Sequence, residues 1–337
     1  MEKIVVLHEY GDRAHYQGLE YLCDKNRIQI DYYEFAFIRR FIRAVLNRDL
    51  NLALKQIKNL FFIISLLFRK KIKIVLGIAP YDYRMIFLYP FLKRHKIYYH
   101  TSWSKWDRSF YPKKCCVNNG LISFWEKFVK EKDVFCVSKT AKQSLIENLE
   151  INNAQIDVVY HSFNDKIFFN RNLKRDIDFV YAGRVIKEKG IEELLKIFSK
   201  RKEKLLIVGD GELVDLVKEY ANNYSNILYH PKTTKKELAL IFNKSKFVVL
   251  NSKRTEFWEE LFGMVLIEAM ACGCVPVAVK HPGPIEIVDS ESGYLFEEGK
   301  LETVLGVVSE DKRKNSIKRA EEFNVKNISK RWIRILN

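Results

Sequence analysis

The chain of 337 residues lacks several features that mark particular classes of protein. Its six cysteines form no Cys-x-x-Cys pair and no cysteine–histidine spacing of the zinc-site type, so we expect reduced thiols and no metal site. Only seven prolines and 14 glycines are present, which excludes collagen and long flexible linkers. The longest uncharged apolar run, residues 60–68, is about half the length that a membrane-spanning helix requires. No signal-peptide pattern follows Met1, so we expect a cytoplasmic protein.

The residues that are present indicate folded domains. Hydrophobic residues make up 47% of the chain, aromatic residues 13% and charged residues 30%. This composition excludes intrinsic disorder, because the apolar content is sufficient to offset the entropy of ordering the chain. At roughly 100–200 residues per domain, the length suggests about two domains.

The charge of the chain is strongly unbalanced. It has 58 Lys and Arg against 42 Asp and Glu, a net charge of +16. An excess of this size implies an anionic partner, which is nucleic acid, membrane lipid or a phosphorylated ligand. Residues 36–73 alone hold ten basic residues and one acidic residue, a net +9. More than half of the excess therefore lies in one segment.

Short apolar runs alternate with amphipathic helical patterns, which is typical of a parallel sheet with helices on both faces. The predicted strands are 4–7, 28–33, 72–78, 97–100, 134–137, 156–160, 177–182, 204–208, 226–229, 247–250 and 275–279. We divide the chain into a first domain at 1–165, a linker, a second domain at 176–315 and a C-terminal helix at 316–337. That helix belongs to a helical pattern at 311–335 and is expected to pack back towards the first domain. We predict an α/β protein of two Rossmann-like, doubly wound domains that face each other across a cleft, with ligands beyond the carboxyl ends of the strands.

Two strand-to-helix turns in the second domain are candidate ligand sites. In the first, Gly183 and Arg184 end a strand and Lys189 precedes a helix. A forked guanidinium, an ammonium group and the N–H groups of a helix start could together bind a phosphate. A solvated basic turn would explain the same residues. In the second, Gly209 allows either the close approach of a ligand or a tight turn.

A third motif joins two acids to the start of an apolar helix. Glu260 and Glu268 lie eight positions apart, and a carboxylate among apolar neighbours needs a polar partner, for which a sugar hydroxyl is suitable. Gly263 lets a ligand approach the start of that helix. A diphosphate could be held there by the first N–H groups of the helix, those of Met264, Val265 and Leu266. An ordinary capped core helix is the alternative.

Taken together and in this order, these motifs resemble family 4 of the retaining, nucleotide-sugar-dependent glycosyltransferases, which have the GT-B fold of two Rossmann-like domains. The resemblance covers about residues 178–296. It is carried by Phe179-Val180-Tyr181-Ala182-Gly183-Arg184, Glu188-Lys189-Gly190, Ile207-Val208-Gly209-Asp210-Gly211, the Glu260-x7-Glu268 block, Glu286-Ile287-Val288 and Gly293-Tyr294-Leu295-Phe296.

The resemblance implies a role for each matching position. Arg184 and Lys189 would bind the donor diphosphate in place of a metal. Glu260 would contact the donor sugar, Glu268 would bind the nucleotide ribose, and residues 229–236 would line the base of a UDP- or GDP-linked donor. The donor-binding residues further include Gly209, Gly263, Met264, Val265 and Leu266.

Arg184, Lys189 and Glu260 are therefore catalytic candidates, and no cofactor or metal is expected besides the nucleotide sugar. Two positions depart from the family pattern. Pro284 follows Gly283 where a second glycine is common. Leu261 stands where the family usually has glycine after the first acid, and neighbouring Glu259 leaves the register of that acid open.

The first domain carries candidate acceptor-binding residues at predicted strand ends. His100 stands where the family often has a histidine near the reacting sugar, so it is a further catalytic candidate that could orient the acceptor or the donor sugar. Tyr81 and Trp103 lie in neighbouring loops, where aromatic faces could stack on sugar rings. Gly11, after the first strand, loosely resembles the acceptor loop of the family. Core packing would explain His100, Tyr81 and Trp103 equally well.

The basic segment 36–73 combines its charge with an apolar helical face. The face is made by positions 50, 53, 54, 57, 60, 61, 64, 67 and 68 at helical spacing. Basic amphipathic helices of this kind lie on anionic membranes. We therefore expect peripheral association with the inner face of the cell membrane. Core helices with solvated basic faces are the alternative.

We expect a retaining, metal-independent hexosyltransferase (EC 2.4 class). It would move a sugar from a nucleotide-diphosphate sugar to a hydroxyl of a glycan or lipid-linked acceptor, in cell-surface polysaccharide or glycolipid synthesis. A basic nucleic-acid-binding protein is an alternative, although no nucleic-acid-binding motif is present and no nucleic-acid partner is expected. A nucleotide-sugar epimerase or phosphorylase of the GT-B fold and a catalytically silent sugar-nucleotide-binding protein are the others.

Overall fold

The computed structural model describes residues 2–10, 13–111, 117–256 and 258–336. The chain divides into two compact units. Unit 1 comprises residues 1–161 together with 328–337, and unit 2 comprises residues 162–327.

The described residues of unit 1 form one parallel sheet of six strands. In chain order the strands are β1 (Lys3–His8), β2 (Gln29–Glu34), β3 (Lys73–Gly77), β4 (Lys96–Thr101), β5 (Asp133–Cys136) and β6 (Ile156–Val158). Their order across the sheet is β2-β1-β3-β4-β5-β6, so the winding direction reverses between β1 and β3. Ligands bind at such reversal points, beyond the carboxyl ends of the strands.

Helices connect these strands. They are α1 (Gln17–Lys25), α2 (Phe37–Leu46), α3 (Leu50–Ser65), α4 (Arg84–Leu92), α5 (Asn119–Lys130) and α6 (Lys139–Leu149). Short 3₁₀ turns lie at Arg13–Tyr16, Asn153–Gln155 and Lys330–Leu336. The connection from β2 to β3 holds two helices, α2 and α3, which pack against each other as a hairpin.

Unit 2 contains a second parallel sheet, again with six strands among the described residues. The strands are β7 (Ile177–Arg184), β8 (Leu205–Asp210), β9 (Ile227–Pro231), β10 (Ser245–Leu250), β11 (Val275–Val279) and β12 (Tyr294–Phe296). The helices are α7 (Ile191–Phe198), α8 (Val214–Asn223), α9 (Lys235–Asn243), α10 (Met264–Ala271), α11 (Pro284–Ile287), α12 (Leu301–Leu305) and α13 (Arg313–Glu321). A further helix, α14 (Val325–Ser329), begins in unit 2 and ends in unit 1. The order β12-β11-β10-β7-β8-β9 places the reversal point between β7 and β10.

The predicted fold class of two α/β, doubly wound domains is confirmed. Each predicted strand is present, with ends that differ by at most two residues from the expected ones. The short elements β12, α11 and α12 were not predicted from hydrophobic periodicity. No helix among the described residues is both long and apolar enough to span a bilayer.

The prediction of one helical segment over 311–335 is wrong. The structure has α13, α14 and a 3₁₀ segment in its place. The break has a local cause, because Phe323 is buried and the side chain of Asn324 accepts a hydrogen bond from the N–H of Asn327 at 2.8 Å. This bond caps the start of a new helix.

Helix α3 buries a different face from the one that its apolar pattern indicates. Leu54 and Phe61 belong to the predicted apolar face, yet both are exposed, and Phe61 is 67% exposed. Gln56 and Asn59 are buried in their place. The apolar face of α3 is therefore not part of the core of unit 1.

Two kinds of contact hold this orientation: Phe62, Ile63 and Leu66 are buried in the core of unit 1, and a buried carboxylate at the end of β2 binds the polar side chains beside them. Glu34 accepts hydrogen bonds from Arg40 at 2.6 Å, Lys55 at 2.7 Å and Gln56 at 3.1 Å. Its backbone N–H donates to the side chain of Asn59 at 3.3 Å. Since a buried charge is stable only when it is paired, the hairpin turns its polar side inwards at this point.

We predict that Glu34→Ala lowers the free energy of unfolding by about 2–3 kcal/mol, because the buried amide of Gln56 loses its acceptor. Urea denaturation followed by circular dichroism measures this change. Lys55→Ala is the control and is expected to cost less than about 1 kcal/mol, since the Lys55 side chain is 54% exposed. Equal losses for the two variants would contradict the central role of Glu34.

Candidate functional site

The candidate donor-binding residues of unit 2 lie beyond the carboxyl ends of its central strands. β7 ends at Arg184 and β8 ends at Asp210, and Gly183 and Gly209 are direct partners in the parallel ladder. A Cβ atom at position 209 would lie 1.8 Å from the carbonyl oxygen of Gly183. Glycine is therefore required at position 209 for the approach of two backbone segments. The contact of Gly209 with a donor stays a prediction.

Lys189 lies in the 3₁₀ turn Lys187–Lys189 that precedes α7. The next residue, Gly190, has a left-handed backbone with φ of +67°, which turns the chain into the helix. The Lys189 ammonium donates to a carboxylate oxygen of Glu260 and lies 4.4 Å from the centre of the Trp258 ring. Two of the predicted catalytic residues, far apart in sequence, are thus in direct contact.

Glu260 is held by two further groups. Its carboxylate accepts a hydrogen bond from the hydroxyl of Ser252 at 3.0 Å, and its backbone N–H donates to Nδ1 of His281 at 3.1 Å. Because Nδ1 of His281 accepts, its Nε2 carries the proton and donates to Glu298 at 2.8 Å. The neighbouring acid, Glu259, contacts Arg254 at 3.2 Å, so Glu260 is the acid of this pair that contacts Lys189.

Gly263 starts α10 in a left-handed conformation, with φ of +93°. The N–H of Leu266 already donates to the carbonyl of Gly263 at 2.9 Å. No described residue accepts a hydrogen bond from the N–H of Met264 or of Val265. The helix start therefore offers an anion two N–H groups of the three that were predicted, together with the positive end of the helix dipole.

Glu268 is buried on α10, and its carboxylate accepts a hydrogen bond from Lys235 at 2.6 Å. Burial raises the pKa of Glu268 above its usual value, and the ion pair with Lys235 opposes this rise. Lys235 begins α9, directly after its capping residue Thr234. It belongs to the segment predicted to line the base.

Arg184 is exposed at the end of β7 and forms no ion pair with any described residue. Its guanidinium acts electrostatically on the Tyr181 hydroxyl, as the Glu260 carboxylate does. Burial raises the pKa of the Tyr181 hydroxyl, the Glu260 carboxylate raises it further, and the Arg184 guanidinium lowers it. The same hydroxyl donates to the carbonyl of Arg184 at 2.5 Å. Arg184 is thus a cation without a carboxylate partner at an edge where other cations are paired.

Ser252 and His281 contact Glu260 and were not identified as functional residues from the sequence, whereas Lys235 lies in the segment predicted to line the base. Ser252 follows β10, His281 follows β11 and Lys235 begins α9. The positions of Ser252 and His281 just after buried strands were the signal that could have found them, because parallel strands bring such residues to one edge.

In unit 1, His100 lies near the end of β4 among aromatic rings. Its Nδ1 shares a hydrogen bond of 3.2 Å with the hydroxyl of Tyr16, and its ring centre lies 5.4 Å from that of Trp332. No described residue forms a hydrogen bond with its Nε2. Burial, with smaller contributions from His15 and His8, lowers the pKa of His100 from 6.5 to about 3. The imidazole is therefore neutral at physiological pH, and its Nε2 is available to a ligand hydroxyl that can reach it.

The other predicted acceptor-binding residues differ in accessibility. Tyr81 is fully buried, with its ring 5.8 Å from that of Trp106, so neither of its faces is open to a sugar in this conformation. Trp103 is half-buried, and its ring stacks on that of Phe110 at 5.4 Å. Gly11 lies outside the described residues. The acceptor roles of Tyr81, Trp103 and Gly11 stay predictions.

Comparison with known proteins matches residues 163–323 to the family described as "Glycosyl transferases group 1". An uncharacterized glycosyltransferase of Methanocaldococcus jannaschii is 31% identical over 57% of this chain and 54% of its own. The N-acetylgalactosamine-N,N'-diacetylbacillosaminyl-diphospho-undecaprenol 4-alpha-N-acetylgalactosaminyltransferase of Campylobacter jejuni is 27% identical over 54% of this chain and 50% of its own. The chain thus spans about half the length of these curated relatives.

The crystal structure of HepE from Anabaena in complex with UDP-glucose has the same fold. It superimposes with a TM-score of 0.68 over 100% of this chain and 99% of that one, at 14% sequence identity. The matched family covers nearly all of unit 2, and the solved structure extends the likeness of fold to both units. The resemblance to GT-B glycosyltransferases that the sequence motifs carry is confirmed.

We predict that the chain loses stability on acidification from pH 7 to pH 5, in part through His100. Its folded pKa lies below the unfolded value, so its contribution is complete above pH 6.5 and is lost as the pH falls towards about 3. At pH 5 the loss reaches about 2 kcal/mol for one such histidine. Urea denaturation across this range is expected to show a shallower pH dependence for His100→Gln. An unchanged pH dependence in that variant would contradict the neutral, buried state of His100.

Proposed function

We propose that this chain is a glycosyltransferase that moves a sugar from a nucleotide-diphosphate sugar to a hydroxyl of an acceptor. The observation that carries the proposal is the charge arrangement at the strand edge of unit 2. Arg184, a guanidinium without an ion pair among the described residues, ends β7, and Lys189 lies in the turn before α7. The same unit offers the N–H groups at the start of α10. This combination of donors suits a diphosphate leaving group.

The two carboxylates suit the remaining parts of such a donor. Glu260 and Glu268 now accept hydrogen bonds from Lys189 and Lys235. When a donor binds, its phosphates would accept the hydrogen bond of the Lys189 ammonium in place of Glu260. The hydroxyls of the sugar would then donate to Glu260, and those of the ribose to Glu268. Each carboxylate would thereby keep a hydrogen-bond donor, as a buried or half-buried charge requires.

Stabilisation of the departing diphosphate is the main contribution that these residues would make to the rate. Negative charge develops on the phosphate oxygen as the bond to the anomeric carbon breaks, and Arg184, Lys189 and the start of α10 would stabilise it. By the resemblance to family 4, the acceptor hydroxyl attacks from the face of the leaving group. Its proton passes to the departing phosphate oxygen, so the anomeric configuration is retained and no metal is needed.

The donor can be identified before any acceptor is known. A ligand that binds the folded state raises the apparent stability by mass action. A thermal-shift screen of UDP- and GDP-linked sugars therefore selects the donor for the transfer assay. The assay contains EDTA, and the anomeric configuration of the product is read by NMR.

We predict that Arg184→Ala and Lys189→Ala each lower kcat by about a hundredfold or more, because charge on the leaving diphosphate loses a preorganised partner. The measurement is transfer from the labelled donor. Lys187→Ala is the matched control, since Lys187 is an exposed lysine of the same turn, and is expected to leave kcat within about twofold. Near-wild-type transfer by both test variants, or epimerised donor in place of a transfer product, would contradict the assignment.

We further propose that the acceptor is a glycan or lipid-linked molecule at the inner face of the cell membrane, in cell-surface polysaccharide or glycolipid synthesis. The α2–α3 hairpin supports this, because exposed apolar side chains such as Ile38, Leu46 and Leu54 alternate with basic ones. Arg39 and Arg43 form no ion pair with any described residue. The relative from Campylobacter jejuni acts, by its name, on a diphospho-undecaprenol acceptor, which is of this class.

We predict that the chain binds vesicles of phosphatidylglycerol and not those of phosphatidylcholine, and that Arg39→Gln/Arg43→Gln weakens binding by about tenfold or more. Co-sedimentation with vesicles measures the affinity. Lys200→Gln/Lys202→Gln removes the same charge from exposed positions of unit 2 and is expected to leave vesicle binding unchanged. Binding of DNA or RNA that falls steeply with salt, with no binding to either vesicle, would favour the nucleic-acid alternative.

A further inference from the structure

Unit 1 contains an apolar groove whose described lining includes none of the predicted donor-binding or acceptor-binding residues. Its volume is about 790 Å³, which lies in the range of ligand pockets. Helices α2, α3 and α4 form its walls, and the lining is mainly aliphatic and aromatic, with Phe37, Ile42, Ile64, Phe87 and Phe91 among the side chains.

The groove reaches the carboxyl edge of the sheet. Glu9 follows β1 and Phe35 follows β2, and both line the groove, as does Arg84 at the start of α4. This is the side of the reversal point between β1 and β3, where doubly wound sheets bind their ligands. A ligand in the groove would therefore extend from the surface of the α2–α3 hairpin to the strand ends of unit 1.

The charged residues at the groove are of two kinds. Arg40 is bound to Glu34 at 2.6 Å, and Arg84 is bound to Glu9 at 2.6 Å and to Asp82 at 2.5 Å. Arg39 lines the same groove and forms no ion pair with any described residue. The groove is thus an apolar channel with one uncompensated cation at its wall.

We propose that this groove binds one hydrocarbon chain of a lipid phosphate, with the phosphate at Arg39. This inference rests on the proposed function, because it assigns a binding site to the lipid part of a lipid-linked acceptor. A hydrocarbon chain is removed from water by the groove, which is favourable in proportion to the apolar area buried. An anionic headgroup would meet Arg39, which is paired with no carboxylate among the described residues, whereas Glu9 of the same groove is paired with Arg84.

The charge around the groove distinguishes this occupant from a second copy of the chain. Residues 36–73 carry a net +9, so two copies that joined at this surface would bring like charges together. A lipid phosphate offers the opposite charge with the apolar area. The exposure of the groove wall agrees with this occupant, since Phe87 is 70% exposed.

The test uses dodecyl phosphate below its micelle concentration and butyl phosphate as a probe with the same headgroup and a short chain. Isothermal titration calorimetry with the full chain, without vesicles or donor, is expected to give one site. The affinity for dodecyl phosphate is expected to be at least tenfold higher than that for butyl phosphate, with a negative heat-capacity change. Equal affinity for the two probes would overturn the proposal.

A matched pair of variants tests the location. Ile42→Gln/Phe87→Gln places two amides in the groove, whereas Leu46→Gln/Phe61→Gln changes two exposed apolar residues that do not line it. All four positions are exposed, so both variants are expected to fold. The groove variant is expected to lose tenfold or more in affinity for dodecyl phosphate, and the control variant less than twofold. Equal losses would overturn the assignment to the groove.

The outcomes separate this inference from the proposed function. Binding of dodecyl phosphate requires no donor and no transfer, so the groove can be confirmed even when no sugar is transferred. Transfer to a short-chain acceptor with no preference for dodecyl phosphate would leave the proposed function standing and overturn the groove. Sedimentation velocity is run on the same samples. A dimer that the groove variant abolishes, without dodecyl phosphate binding, would assign the groove to a second copy.

Discussion

The orientation of the α2–α3 hairpin depends on one buried carboxylate, that of Glu34. Its partners come from both helices, Arg40 from α2 and Lys55 and Gln56 from α3. A carboxylate that is 1% exposed would be too costly without them, so the two helices can rotate little about their axes. The apolar side chains of α3 that this arrangement turns outwards, such as Leu54 and Phe61, then form a surface. The groove between α2, α3 and α4 exists because both helices are held in this rotation.

Paired charges also determine the properties of the proposed donor site in unit 2. Lys189 is bound to Glu260 and Lys235 to Glu268, so each of these four charges has a partner of opposite sign. A diphosphate sugar could exchange these pairs without leaving either partner alone, because it brings acceptors for the cations and hydroxyl donors for the carboxylates. Arg184 is bound to no carboxylate among the described residues. Its attraction for a phosphate is therefore reduced less by a competing carboxylate than that of Lys189 or Lys235.

The sequence predicts the strands of this protein well. It predicts less well the features that depend on contacts between residues far apart in the chain. Apolar runs bounded by turns identify strands because a parallel strand is buried on both faces, as in residues 4–7 of β1. The same assumption, that an apolar face is a buried face, fails for α3. Its orientation depends in part on Glu34, which lies 22 positions before Gln56 and on another element. The motifs found Lys189 and Glu260, but Ser252 and His281 join them only through the packing of β10 and β11.

The proposal of an anionic lipid as the partner of the basic segment rests on what each candidate would do with the apolar side chains next to the charges. A nucleic acid would neutralise Arg39 and Arg43 but would leave Leu54 and Phe61 in water, because its phosphate backbone offers them no apolar contact. A core would bury the apolar residues and leave the arginines solvated, but α3 turns this face away from the core. An anionic lipid satisfies both kinds of side chain at once, since phosphate and hydrocarbon occur in the same molecule. The exposed apolar face therefore contributes as much to the choice of partner as the net charge does.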